Sequence, residues 1–170
     1  MSKPGAWDGV LNIYKPRGCT SYQVVDQVKG LIPGTKVGHA GTLDPDATGV
    51  LLVCMGRATK IVPFLLELTK TYVATMRLGT VTDTQDSAGR VIEQTSSVSL
   101  RDEELEAALA NFRGETLQTP PMYSAIRREG KRLYALARKG LSVERRARKI
   151  RVHEMRLLGR SDLDVTFLVT

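Results

Sequence analysis

Fourteen consecutive residues constrain this chain more than any other stretch: Gly38-His39-Ala40-Gly41-Thr42-Leu43-Asp44-Pro45-Asp46-Ala47-Thr48-Gly49-Val50-Leu51. They set three glycines, two threonines, a histidine, two carboxylates and a proline between two more apolar segments. Glycine at this density lets the backbone take left-handed turns and approach a ligand closely. Pro45 fixes its own φ and biases Asp44 towards an extended conformation. The run Val50-Leu51-Leu52-Val53-Cys54 then reads as a short, buried aliphatic strand. A carboxylate on a stiff loop leading into such a strand is well placed for chemistry. The plainer alternative is a polar turn in which Asp44 only satisfies nearby backbone N–H groups. On composition alone the plainer alternative wins.

At 170 residues the chain is long enough for one domain that buries roughly 70% of its unfolded surface. No window approaches the run of about eighteen apolar residues that a membrane span needs. The start, Met1-Ser2-Lys3-Pro4-Gly5, lacks the apolar core of a signal peptide. Cys19 and Cys54 are far apart and, with only His39 and His153 beside them, offer no zinc-ligand spacing. The expectation is a reduced, cytoplasmic, monomeric protein with no membrane, metal or cofactor. The net charge of +7 is unevenly spread. Residues 127 to 151 hold eleven Arg or Lys against the two acids Glu129 and Glu144, so the remainder of the chain is slightly acidic. A local basic patch suits phosphate contact better than it suits general solubility. A solvated helix face is the usual fate of a charge run, but so few acids weaken that alternative here.

Gly9 to Lys15 alternates as a short strand, ended by Pro16-Arg17-Gly18. Thr20 and Gln23 are spaced as a capping box for the next helix, with Val24, Val25 and Val28 on one face and Gly30 as its C′ residue. A short apolar segment, Ile61 to Leu68, precedes a strand from Lys70 to Gly79 that aligns Tyr72, Ala74, Met76 and Leu78. Read alone, Tyr72 is a core or edge aromatic, and Lys15 a surface lysine on a strand-to-helix turn. Thr82 to Gly89 is rich in turn residues, whose Asp83 and Asp86 are explained by bonds to their own backbone. Arg90 to Glu93 returns as a strand. A helix starts at Ser99, with Asp102 at its third position; Leu105, Ala108, Leu109 and Phe112 share one face, and Gly114 lies past the end. Lys149 to Leu158 and Asp164 to Thr170 read as two closing strands.

The loop string resembles the catalytic motif of the TruB family of pseudouridine synthases. Four further segments match that family: Lys15-Pro16-Arg17-Gly18-Cys19-Thr20-Ser21, Lys70-Thr71-Tyr72, Thr82-Asp83-Thr84-Gln85-Asp86, and Pro120-Pro121-Met122-Tyr123-Ser124-Ala125. The resemblance implies an α/β (α+β) pseudouridine synthase fold, a mixed and mostly antiparallel sheet with flanking helices and a central catalytic cleft. Residues 1–170 are then one catalytic domain, incomplete at its C-terminal end, with a basic RNA-clasping insertion at about 119–151. It implies isomerisation of uridine-55 in the T loop of tRNA, with Asp44 as nucleophile and no cofactor. Gly41, Thr42 and Leu43 would line the substrate, Lys15 would sit in a turn packed beside the loop, and His39 would fill the space left by a flipped base. Tyr72 would stack on that base, and Asp46 falls at a loose position of the motif. Arg127, Arg128, Lys131, Arg132, Arg138, Lys139, Arg145, Arg146 and Arg148 would contact the T arm. An arginine motif that pairs with the catalytic aspartate in the family is not among these residues, so the expectation is a fragment with little turnover.

Uridine isomerisation breaks the C1′–N1 bond and rejoins the base through C5. A carboxylate is a competent nucleophile for such glycosyl chemistry. Whether it attacks C1′ or C6 is open at this stage. A stacked target must first be extruded, at a cost of a few kcal/mol. Two other readings compete. One is a non-catalytic tRNA- or RNA-binding or RNA-folding module; the other is an unrelated hydrolase pairing Asp44 with Asp83.

Overall fold

A computed structural model of the chain describes residues 7–95, 97–124, 126–128, 130–137 and 139–170, with 127, 128, 131 and 132 described by their backbone alone. The chain divides into two compact units, Met1–Thr69 and Lys70–Thr170. Every strand pairing among the described residues is antiparallel. Helices accompany the strands, and the fold class is α+β as expected. No described helix is long and apolar enough to cross a membrane.

The first unit is built on β1 (Gly9–Lys15), α1 (Ser21–Leu31), β2 (Val37–His39) and β3 (Gly49–Met55). A 3-10 turn (Gly56–Ile61) and α2 (Val62–Glu67) follow. The aliphatic run takes the centre of the sheet, in the order β1-β3-β2, with Lys15 opposite Gly49 and His39 opposite Val53. Leu51, Val53 and Met55 pack against Val24, Val25 and Val28 of α1 and against Ile32 and Val37. Each such side chain contributes about 1.5–3 kcal/mol when fully buried.

The predicted capping box forms. Thr20 Oγ1 accepts from the Gln23 N–H at 3.1 Å, and Gln23 Oε1 accepts from the Thr20 N–H at 2.7 Å. The helix does not stop at Gly30, however; it runs to Leu31 with Ile32 as C-cap. Burial of Ile32 in the core outweighs the modest cost of an internal glycine. The left-handed turn falls instead to Gly34, at φ +78°.

The second unit starts with β4 (Tyr72–Arg77), β5 (Thr80–Thr82) and β6 (Val91–Gln94), then α3 (Asp102–Ala110) and β7 (Gly114–Gln118). A short hairpin, β8 (Arg127–Arg128) and β9 (Lys131–Arg132), leads into α4 (Leu133–Ala137). The chain closes with β10 (Arg148–Val152), β11 (Met155–Ser161) and β12 (Asp164–Val169). The strand expected over Lys149 to Leu158 is in fact two. β10 pairs with β7, whereas β11 pairs with β12, which also pairs with β4. The break lies at His153 and Glu154, where both residues turn to bond the backbone of Thr170.

The helix α3 differs from expectation at both ends. It starts at Asp102, because the Glu104 carboxylate accepts from the Arg101 N–H at 2.9 Å, so the cap is not supplied by Ser99. Leu105 and Leu109 are buried, but Phe112 lies past the last turn and is 58% exposed. Glu106 ties the helix to β11: its carboxylate accepts from the Leu157 N–H at 3.1 Å and pairs with Arg113. Arg113 Nε donates in turn to the Met155 carbonyl at 2.7 Å. The Leu157 N–H first, and the Arg113 guanidinium after it, hold the Glu106 carboxyl below its ordinary value.

β7 and β10 are paired at Gln118 and Arg148, so residues 119–147 leave this ladder and return to it. The basic segment occupies that excursion.

Candidate active site

Residues 40–48 connect β2 to β3, and almost every backbone bond in the connection is fixed from outside it. The Ala40 N–H donates to Leu52 at 2.9 Å, extending the ladder past His39. Gly41 takes φ +111° and Gly49 φ +130°, values that side chains resist. His39 Nδ1 lies 2.5 Å from the Gly41 carbonyl. A carbonyl can only accept, so Nδ1 carries the hydrogen and a neutral ring leaves Nε2 as an acceptor.

Asp44 stands between two anchored neighbours. On its N-terminal side, Ser21 Oγ donates to the Leu43 carbonyl at 3.1 Å and accepts from the Leu43 N–H at 2.9 Å. The Leu43 side chain also packs against the core. On its C-terminal side, the Pro45 carbonyl accepts from the Gly18 N–H at 2.8 Å and from Lys15 Nζ at 3.3 Å. The loop is therefore fastened to α1 and to the turn after β1 at the residues flanking the aspartate.

Lys15 is not the surface lysine that its turn position allows. It is completely buried, and its ammonium donates to the carbonyls of Pro16, Cys19 and Pro45. Three N–H donors meet three acceptors, which is what a buried charge requires when, among the described residues, no carboxylate pairs with it. The Lys-Pro turn thus reaches the loop through a side chain.

Asp44 itself is exposed. Its carbonyl accepts from the Ala47 N–H at 3.1 Å, closing a turn, but among the described residues its carboxylate has no hydrogen bond or ion pair. The plainer account of this aspartate, a side chain spent on nearby N–H groups, does not hold. Asp83 and Asp86 behave the other way. Asp83 Oδ1 accepts from the Arg90 N–H at 2.9 Å, and Asp86 Oδ1 from the Ala88 N–H at 2.9 Å and the Thr84 hydroxyl at 2.6 Å. They belong to their turn. Asp46 is exposed and lies 3.3 Å from Arg17 Nε.

Lys15, His39, Gly41, Thr42, Leu43 and Asp44 all belong to the first unit and meet at this loop. Tyr72 and the basic segment belong to the second. Tyr72 opens β4 opposite Val169 and is 46% exposed, while Ala74, Met76 and Leu78 are half-buried. In the hairpin, Arg127 opposes Arg132 and Arg128 opposes Lys131; their side chains lie outside the described part, as does all of Arg138. Lys139 and Arg146 are exposed. Arg148 is exposed and lies 3.4 Å from Gln118 Oε1. Arg145 is turned inward: it donates to the Pro120 carbonyl at 3.2 Å, and its Nε is buried without a partner among the described residues.

Sequence reasoning missed Ser21, which clasps Leu43 from both sides. The signal was present, because Ser21 shares its helix face with Val24, Val25 and Val28, and a lone hydroxyl on an apolar face needs a partner.

Comparison with known proteins gives a consistent result. The family profile described as "TruB family pseudouridylate synthase (N terminal domain)" matches residues 29–170. A tRNA pseudouridine synthase B from Chromohalobacter salexigens is 53% identical over 152 residues, covering 89% of this chain and 50% of that protein. One from Clostridium acetobutylicum is 47% identical over 161 residues, covering 95% and 54%. Among solved structures, a Cbf5-Nop10-Gar1 complex contains a chain that aligns with a TM-score of 0.69 and 32% identity, over 95% of this chain and 38% of that one. An H/ACA ribonucleoprotein bound to a substrate RNA containing 2′-deoxyuridine gives 0.64 and 26%, over 99% and 43%. The chain spans about half the length of the curated relatives it matches.

Proposed function

Since the chain belongs to the TruB family of pseudouridylate synthases, we propose that it carries the nucleophile of a tRNA pseudouridine synthase that acts on uridine-55 of the T loop. The observation that carries this reading is the state of Asp44. Both neighbours are fixed by Ser21, Gly18 and Lys15, while the carboxylate is left unspent and open to solvent. Rigid placement of an uncommitted nucleophile is what a bond-forming group needs.

In the reaction the C1′–N1 bond breaks, the base rotates, and a C1′–C5 bond forms. The hydrogen on C5 passes to water and N1 gains one, so the product is an isomer and no external group is consumed. Asp44 supplies the electron pair that traps the activated sugar or base. His39, at the root of the loop, fills the gap left by the extruded uridine. Tyr72, an exposed residue, offers its ring for stacking, worth about 1–3 kcal/mol per base.

The hairpin register supports an RNA partner. Two pairs of like charge stand opposite one another on strands of only two residues each. Such pairs destabilise a ladder, and a hairpin this short is marginal alone. Phosphates of the T arm would offset the repulsion. The reading carries with it a cytoplasmic location, alongside tRNA, and a monomeric enzyme.

The test is release of tritium from an unmodified tRNA transcript labelled at uridine C5, using the full-length protein and mapping the modified position. Stoichiometric release from the T-loop uridine is expected. Binding without release would instead favour the non-catalytic RNA-binding module, and neither binding nor release would contradict both.

A further inference from the structure

Among the ion pairs of the first unit's described residues, the one whose carboxylate lies on the Asp44 loop has Arg17 as its cation, a residue outside the basic segment. Its turn is fixed to the loop by the Gly18 N–H and the Lys15 ammonium on the Pro45 carbonyl. That clamp brings Arg17 opposite Asp46, two residues beyond Asp44, with Nε 3.3 Å from Oδ1. Both side chains are open to solvent, at 72% and 58% exposure.

Two physical facts follow from this geometry. A guanidinium has five N–H donors, and only the one on Nε is used here. Its outer edge, with both terminal amino groups, is free among the described residues. That edge is the fork that matches a phosphate bidentately. In addition, an exposed ion pair of this kind contributes only about 0–1 kcal/mol to stability, so it is a weak latch for the loop. The loop is already held by Ser21, Gly18 and Lys15.

We propose that Arg17 is a backbone-phosphate contact for the RNA strand that enters at Asp44, with Asp46 holding the guanidinium by its Nε edge so that its outer edge faces the strand. This deepens the reading of the chain as a tRNA pseudouridine synthase and rests on it. Without Arg17, a polyanion would meet two uncompensated carboxylates, Asp44 and Asp46, on one loop. With Arg17, the charge of Asp46 is offset and a single uncompensated carboxylate, the nucleophile, remains.

The experiment measures tRNA affinity of the full-length protein as a function of salt for wild type, Arg17→Ala, Arg17→Lys and Asp46→Asn. Removing one phosphate ligand makes the log K against log salt slope less steep by about 0.7–0.9. Arg17→Ala is expected to show that change and weaker binding at low salt. Arg17→Lys restores most of the slope, because the charge is kept and the fork is lost. Asp46→Asn keeps an acceptor for Nε and removes a negative charge, so its slope stays and its affinity is equal or tighter. An Arg17→Ala protein with the wild-type slope, or an Asp46→Asn protein that binds more weakly than wild type, would overturn the proposal and return the pair to a loop latch. Failure of the wild type itself to bind tRNA would instead overturn the underlying functional reading.

Discussion

Two buried polar side chains decide where Asp44 stands. Ser21 is 2% exposed and satisfies both backbone groups of Leu43. Ser21→Ala leaves a buried N–H and a buried carbonyl unpaired, which costs about 1–3 kcal/mol for each group that water cannot reach. Displacing the neighbour of a nucleophile by about an ångström costs on the order of a hundredfold in rate. The expected result is therefore a kcat reduced far more than the denaturation midpoint implies, measured at a temperature where the variant is fully folded. A kcat equal to wild type would show that Leu43 is placed by its packing alone. For Lys15 the emphasis reverses. Lys15→Met keeps the apolar stem and removes the ammonium, so the Cys19 carbonyl is left without the donor that the lysine supplies. Urea denaturation should show a loss of about 1–3 kcal/mol. The position of Ser21 on an apolar helix face signals that it needs a partner, but the identity of neither side chain's partner was readable from the residues alone. The partners Leu43 and Pro45 lie 22 and 30 positions away in sequence, and no local pattern encodes a contact at that range.

At the level of elements, local signals were legible where local physics decides the outcome. The strand Gly9–Lys15 and the box Thr20–Gln23 formed as read, because alternation and capping act within a few residues. The end of α1, the start of α3 and the split between β10 and β11 were not legible. Each depends on a specific partner that pattern alone does not select: the core that buries Ile32, the Glu104 carboxylate that caps Arg101, the Thr170 backbone that draws off His153 and Glu154. The docking of α3 on β11 yields a prediction with a definite sign. The folded-state value of Glu106 lies below its ordinary 4.5. Its contribution is thus complete above that pH and drains away as pH falls through the lowered value. Thermal midpoints of wild type and Glu106→Gln should differ at neutral pH and converge in acid below that lowered value. A gap that persists unchanged in acid would mean that the carboxylate is not what holds the helix.

Over the whole molecule, charge and chemistry are divided between two units. The Asp44 loop belongs to the first, while the exposed aromatic Tyr72 and most of the positive charge belong to the second. The basic excursion between Gln118 and Arg148 was legible as composition, but not that Arg145 turns inward to the Pro120 carbonyl. A charge count cannot separate a phosphate ligand from a brace. Replacing Arg127, Arg128, Lys131 and Arg132 together by Ala should flatten the salt slope of tRNA binding by about 0.7–0.9 for each phosphate ligand removed, equally for different RNA sequences. An unchanged slope would return the hairpin to a solvated surface. All of this matters to function only if Asp44 is the reacting group. The most direct test is single-turnover tritium release by Asp44→Asn in the full-length protein, beside its tRNA affinity. Asparagine keeps the size of the side chain and removes its anionic oxygen. No measurable release is expected, with affinity within a few-fold of wild type. Release at the wild-type rate would show that Asp44 is not the reacting group.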